Sequence, residues 1–223
     1  MKTPARYDGL AEWYDREFAT SPLSAVLLET VLRLLGEGGG RALVDVGCGT
    51  GAHDIVYAEH GWVVTGIDIS EDQLRLARGR GIEAVHADAT AIPFADASFD
   101  AAVSTWIHTD VDDFAAVLAE VARVLRPASP FVYLGAHPCF VGPHSQFVAG
   151  EGLPVLHEGY RRAERYSDAP GTSPEGLRAR VGATHLPLGR FVQSFIDAGF
   201  GIKRFEEPGS REYPYMVALR CRR

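Results

Sequence analysis

Cysteine is scarce in this chain: Cys48, Cys139 and Cys221 are its three, and their spacing suits neither a disulfide framework nor a cysteine-rich zinc site. Scattered thiols point to a reducing, cytoplasmic location, and no metal centre is expected. Positive charge is also in deficit, with 22 Lys and Arg against 29 Asp and Glu and a formal net charge of −7. That balance argues against nucleic acid as a partner, since phosphate neutralisation needs a basic stripe. The arginines around Cys221, at 220, 222 and 223, are expected to form a solvated end. Nowhere do about 18 apolar residues follow one another, and the first residues, 1–6, lack the basic and apolar parts of a leader, so neither membrane insertion nor export is expected. What remains is a hydrophobic content of 46% in 223 residues, ordinary for a single globular domain over residues 1–223.

Glycine is placed where it matters. Leu43-Val44-Asp45-Val46 reads as a short buried strand, and Gly47-Cys48-Gly49-Thr50-Gly51 follows it as a turn that lets a ligand lie against bare backbone. The helix expected over 52–60 aims its free N–H groups at the same spot. Before the turn, residues 1–38 form N-terminal cap helices: Tyr7, Leu10, Ala11, Tyr14 and Phe18 recur at helical spacing, and Ser21-Pro22 opens a second helix. After it, strands at 62–67, 82–87, 99–104 and 131–135 alternate with helices at 71–79 and 112–125, which predicts a mostly parallel sheet covered on both faces. Residues 136–187 break this rhythm and read as an insert that shapes a substrate pocket as a lid. A last helix at 188–198 and two strands, 202–206 and 213–219, joined through Glu207-Pro208-Gly209-Ser210, predict an antiparallel final strand.

In an open parallel sheet the ligand lies beyond the carboxyl ends of the strands. Asp68 stands after the second strand, about 20 residues past the glycine turn, where a carboxylate takes both hydroxyls of a ribose. Asp88, followed by Ala89, stands after the third and suits an adenine amino group. Ser104, Thr105, Trp106 and His108 follow the fourth strand, and His137 the fifth. Each has a bland alternative as a cap or a tight connection, but a glycine turn with two acidic strand ends in successive units makes a nucleotide-like ligand the better reading.

These residues carry a resemblance to the class I S-adenosylmethionine-dependent methyltransferases. Val44 to Gly51 resembles their first motif, Gly66-Ile67-Asp68-Ile69-Ser70 their ribose motif and Ala87-Asp88-Ala89 their adenine-side motif. The segments 94–100 and 120–127, with Tyr7-Asp8 and Tyr14-Asp15, look like the small-molecule branch that includes the ubiquinone and menaquinone C-methyltransferase type. The resemblance covers roughly residues 7–135. It implies a Rossmann-like seven-stranded sheet of order 3-2-1-4-5-7-6 with strand 7 antiparallel, S-adenosyl-L-methionine as cofactor, and an N-terminal helix that closes over it. The implied cofactor contacts are Tyr7, Tyr14, Asp45, Gly47, Cys48, Gly49, Gly51, Asp68, Ile69, Asp88, Ala89, Ser104 and Thr105. One departure stands out: after the fourth strand the branch often carries a His-His pair, where this chain has His108-Thr109-Asp110.

Methyl transfer from a sulfonium is an in-line displacement, and a base is needed only if the acceptor starts protonated. His108 and His137 are the expected catalytic candidates. Trp106 and the insert residues His144, Tyr160, Arg165 and Tyr166 are the expected substrate contacts, with a small-molecule acceptor as partner and a monomer or homodimer as assembly. Two other readings stay open: a NAD(P)-dependent oxidoreductase using Gly47, Gly49 and Ala52, and a non-catalytic cofactor-binding module.

Overall fold

In the computed structural model, described for residues 5–19, 21–147, 153–170, 172 and 176–223, the first buried strand lies in the interior of a seven-stranded sheet. Parts of the expected N-terminal cap (1–4 and 20) and of the expected lid (148–152, 171 and 173–175) lie outside the described residues. In chain order, β1 (Ala42–Val46), α3 (Ala52–Glu59), β2 (Val63–Asp68), α4 (Glu71–Gly79), β3 (Glu83–His86), β4 (Ala101–Thr105), α5 (Phe114–Val124) and β5 (Pro130–Ala136) are preceded by α1 (Ala11–Tyr14) and α2 (Pro22–Leu35). The chain ends with α7 (Leu188–Asp197), β10 (Gly201–Glu206) and β11 (Met216–Arg222). The order β10-β11-β5-β4-β1-β2-β3 is parallel from β3 through β5, and β11 runs antiparallel to both β5 and β10. This is the 3-2-1-4-5-7-6 arrangement, with β11 and β10 in the places of the seventh and sixth strands.

Alternation along the strands divides the core. Leu43, Val103, Val132 and Ala218 face α2 and Tyr57 of α3, where Leu27, Val31, Leu34 and Leu35 are buried. Val44, Ala102, Phe131 and Leu219 face α5 and α7, which bury Phe114, Leu118, Phe191 and Phe195. The helices start where short polar side chains cap them. The Oγ of Ser21 accepts from Ser24 N at 3.2 Å ahead of Pro22, that of Ser70 from Gln73 N at 3.3 Å, and the Asp113 carboxylate from Ala116 N at 2.9 Å. Helix α5 stops before Arg126-Pro127.

Three expectations shift. The first helix is α-helical only over Ala11–Tyr14 and continues as a π-helical turn over Asp15–Ala19. The final connection is not a tight turn at 207–210: β11 begins at Met216 and carries Arg220 and Cys221 into the sheet, where Cys221 is buried and Arg220 Nε donates to Leu34 O at 2.9 Å. The arginines there are therefore not a merely solvated end. The insert is a set of small pieces: β6 (Ser145–Phe147) pairs with β7 (Pro154–Leu156), β8 (Arg165–Tyr166) with β9 (Ala183–Thr184), and α6 (Leu177–Val181) lies between β8 and β9.

Candidate functional site

A cleft of about 410 Å³ opens at the carboxyl ends of β1, β2 and β4. Gly47 leaves β1 at φ +84°, and its N–H and that of Cys48 donate to Ile67 O at 2.8 and 3.0 Å, which locks the turn onto β2. Gly49, at φ +57°, donates its N–H to Asp68 Oδ2 at 3.0 Å, while Ser70 N donates to Oδ1 at 2.9 Å. The Asp68 carboxylate is thus fixed by two backbone donors, yet burial outweighs them and raises its pKa above the usual carboxylate value. Its remaining lone pairs stay available to a ligand diol. Asp88 is oriented by Thr90, whose N and Oγ1 donate to Oδ1 at 2.9 and 2.8 Å. Gly47, Cys48, Gly49, Asp68, Ile69, Asp88, Ala89, Thr105, Tyr7 and Tyr14 all line this cleft, so ten of the expected cofactor contacts converge.

Asp45, Ser104 and Gly51 do not line the cleft and lie behind it. Asp45 is buried under the turn beside Asp54, and burial together with the Asp54 charge pushes its carboxyl well above the usual range. Ser104 Oγ donates to Val46 O at 2.6 Å, and Gly51 begins α3 at φ +71°, where a Cβ would stand 2.9 Å from Ala77 Cβ. Gly66 supports the turn from below: a Cβ there would meet Cys48 Sγ at 2.7 Å.

Neither histidine expected to be catalytic reaches the cleft. Trp106 adopts φ +63° and turns the chain, and the 3₁₀ turn Ile107–Thr109 sends His108 inward, where Nδ1 meets the Tyr133 hydroxyl among the rings of Phe114 and Phe191. Burial pushes its pKa down to about 3, so it is a neutral core histidine. His137 is buried and bonded through Nε2 to Glu207 Oε1 at 2.8 Å, outside both cavities described here. His144 donates from Nε2 to Cys139 O at 2.9 Å and packs on Tyr160 and His185, and Arg165 binds Val181 O, so His144, Tyr160 and Arg165 frame the insert and line neither this cleft nor the second cavity.

A second cavity, about 480 Å³, does receive Trp106 and Tyr166. Trp106, Arg178 and Tyr215 line both spaces and mark their junction. Arg178 donates from Nη1 to Asp110 Oδ1 at 2.6 Å and from Nη2 to Thr109 Oγ1 at 2.8 Å, and Tyr7 Oη donates to the same Asp110 oxygen at 3.0 Å. Asp110 therefore joins the cap, the insert and the turn after β4. Sequence reading missed this role. The only local signal was a carboxylate just past a strand, and Arg178 lies 68 residues away. It also missed two polar groups of the cleft. His53, on the first turn of α3, shares a 2.7 Å hydrogen bond with Ser24 Oγ and is pushed down to about 4 by burial. Gln73 is 2% exposed, and its Oε1 has no partner among the described residues. The cap is pinned from the other side by Asp15, which accepts from Thr50 Oγ1 at 2.6 Å and Arg80 Nη2 at 2.7 Å.

Among the described residues no three His, Cys, Asp or Glu side chains gather as a metal site, and no single helix is long and apolar enough to cross a membrane. Residues 44–133 match the methyltransferase domain family. Over this segment the chain is similar to methyltransferase domains, and it resembles the ubiquinone/menaquinone C-methyltransferase type. The chain is 36% identical over 137 residues to the ubiquinone/menaquinone biosynthesis C-methyltransferase of Desulfotalea psychrophila, covering 56% of this chain and 55% of that one. With the O-methyltransferase resE of Aspergillus sclerotiorum it shares 39% identity over 104 residues, 43% of this chain and 39% of the relative. The chain thus spans about half or less of the length of these curated relatives. Among solved structures, an S-adenosylmethionine-dependent methyltransferase from Mesorhizobium loti superposes with a TM-score of 0.74 at 25% identity, over 89% of this chain and 98% of that one.

Proposed function

We propose that the protein transfers a methyl group from S-adenosylmethionine to a small-molecule acceptor seated in the second cavity. The observation that carries this reading is the convergence of the Gly47–Gly49 turn and the backbone-fixed Asp68 carboxylate on a cleft that shares Trp106, Arg178 and Tyr215 with a separate chamber. The cleft suits the cofactor: Asp68 retains acceptor capacity for a ribose diol, the glycine turn leaves room for close approach, and the orphaned Gln73 Oε1 is a buried acceptor awaiting a donor. When bound, S-adenosylmethionine supplies a methyl carbon already activated by its sulfonium.

The chain's own residues then bind, orient and exclude water. Asp68 and the turn would hold the nucleoside side, and Asp88 and Ala89 would meet the base. Tyr7 and Tyr14, packed edge to face at 5.5 Å, and Phe18, stacked on Tyr14 at 5.4 Å, cover the cleft from the cap. Alignment of two bound reactants contributes up to roughly 7–11 kcal/mol, so no base from this chain is required where the acceptor is already nucleophilic. Residues 1–223 work as one unit in this reading, with 1–38 closing the donor side and 136–187 shaping the acceptor side. A cytoplasmic location and a monomeric or homodimeric state belong to the same proposal.

Calorimetry tests it directly. S-adenosylhomocysteine is expected to bind and NADH not to, and a library of acceptors is expected to yield a product heavier by one methyl group. Binding of NADH in place of S-adenosylhomocysteine would overturn the reading.

A further inference from the structure

The two cavities differ in charge. Asp68, Asp88 and Asp110 line the first together with Arg6 and Arg178, so its carboxylates outnumber its guanidiniums, which suits a cationic donor. Among the described residues lining the second, the one charged side chain is Arg178, and the walls carry the rings of Trp106, Phe140, Phe147, Tyr166 and Tyr215. This contrast arises in a chain whose formal charge is −7.

Arg178 is bonded to Asp110, so its charge must be weighed with its neighbours. Asp110 also receives Arg6 through its backbone carbonyl at 2.6 Å, and Asp112 is bonded to Arg6 at 2.7 Å and lies 3.7 Å from Arg165. Three guanidiniums therefore share two carboxylates, and the group keeps one positive charge. Burial and the like charge of Arg6 push the Arg165 pKa down, as expected where cations outnumber anions. Asp110 is itself engaged: Oδ1 accepts from Arg178 and Tyr7, and the Thr109 hydroxyl lies 3.3 Å from Oδ2. A guanidinium has five N–H donors in a planar fork. The two bonds of Arg178 to Asp110 and Thr109 leave the other three for a ligand. A further cation, Arg211, lies 5.8 Å over the Phe147 ring and 5.9 Å over that of Tyr215, at the edge of the same chamber.

We infer that the second cavity takes a planar aromatic acceptor carrying one negative charge on oxygen, a carboxylate or an ionised phenol, with its ring among Trp106, Phe147, Tyr166 and Tyr215 and its oxyanion at Arg178. This rests on the reading that the second cavity is the acceptor chamber. An oxyanion there completes the charge balance of the arginine group and places a negative group next to the space meant for a cationic donor. Charge-assisted bonds to a guanidinium are about twice as strong as neutral ones, so the anion is expected to be favoured over its uncharged isostere.

The test uses the full chain and matched probes: 2-naphthoate against 2-naphthamide, and 4-nitrophenolate against 4-nitroanisole at pH 8, titrated by calorimetry with and without saturating S-adenosylhomocysteine. At least one anion is expected to bind about tenfold or more tightly than its neutral partner, and the better of the two pairs tells carboxylate from phenolate. In Arg178→Gln the preference is expected to fall towards one. Should that variant fail to fold, Arg211→Gln is expected to reduce the preference by a smaller factor, and the wild-type comparison stands alone. Neutral probes binding as well as the anions, a preference unchanged in folded Arg178→Gln, or no binding of either anion would each overturn the inference. Failure of S-adenosylhomocysteine to bind while the anion preference persists would remove the methyl-transfer reading and leave the chemistry of the chamber standing.

Discussion

The first cleft is built from backbone and the second cavity from side chains. Around Asp68 the fixing groups are main-chain N–H of Gly49 and Ser70, supplied by elements adjacent in the sheet. Around Arg178 they are Asp110, Thr109 and, through Asp110, Tyr7, drawn from two parts of the chain far from Arg178 and from each other. A backbone-built site is fixed once the sheet forms, and any sequence that keeps the glycines and the carboxylate reproduces it. A side-chain-built site depends on residues far apart in sequence, so it is free to vary with the substrate.

That contrast can be broken or sharpened, and the largest effect is expected in the aromatic layer between β5 and the helices α5 and α7. Phe191 is fully buried against His108, Phe114 and Tyr133, and Phe191→Ala is expected to cost about 3–5 kcal/mol in denaturant unfolding. Next comes Asp68→Ala. Two charge-assisted hydrogen bonds to a ribose diol, at about 1.5 kcal/mol each or more, make a loss of roughly 100-fold in S-adenosylhomocysteine affinity the expected result by calorimetry. An affinity within threefold of wild type would show that the backbone-fixed carboxylate does not hold the donor. Asp110→Asn keeps the shape and removes one charge. Because both partners are about one-fifth to one-quarter exposed, the expected cost is only about 1–2 kcal/mol. It should appear as faster proteolysis within the insert while β1–β5 stays protected.

The smallest effect concerns pH. Burial raises the Asp45 and Asp54 carboxyls, so the folded chain holds protons the unfolded chain releases. Their contribution is fully present below the unfolded carboxylate pKa and is lost as pH rises through the folded one. Buried His53 and His108 act oppositely, since the unfolded chain takes up their protons as pH falls below about 6.5. Asp54→Asn is therefore expected to be more stable than wild type at pH 7.5 by about 1 kcal/mol, with the advantage shrinking towards pH 4. A constant difference across that range in thermal melts would show that the pair does not titrate with folding.

The same division explains what could be read from the sequence. The parallel strands and the glycine turn were legible because buried runs such as Leu43–Val46 and a carboxylate at a strand end are local patterns, and the family resemblance ordered the strands. The misplacement of His108 has a local cause: position past β4 predicts a residue facing the cleft, but the left-handed Trp106 reverses the chain and leaves His108 against Tyr133. The insert was opaque because its strands are two or three residues long and carry no period. Asp110 and Arg178 became a site only when the fold brought them together.

The contact under the glycine turn has a consequence for variation. Because a Cβ on Gly66 would lie 2.7 Å from Cys48 Sγ and 2.9 Å from Cys48 Cβ, positions 48 and 66 are sterically epistatic. In a saturation library Gly66→Ala is expected to survive in company with Cys48→Gly and to be purged alone.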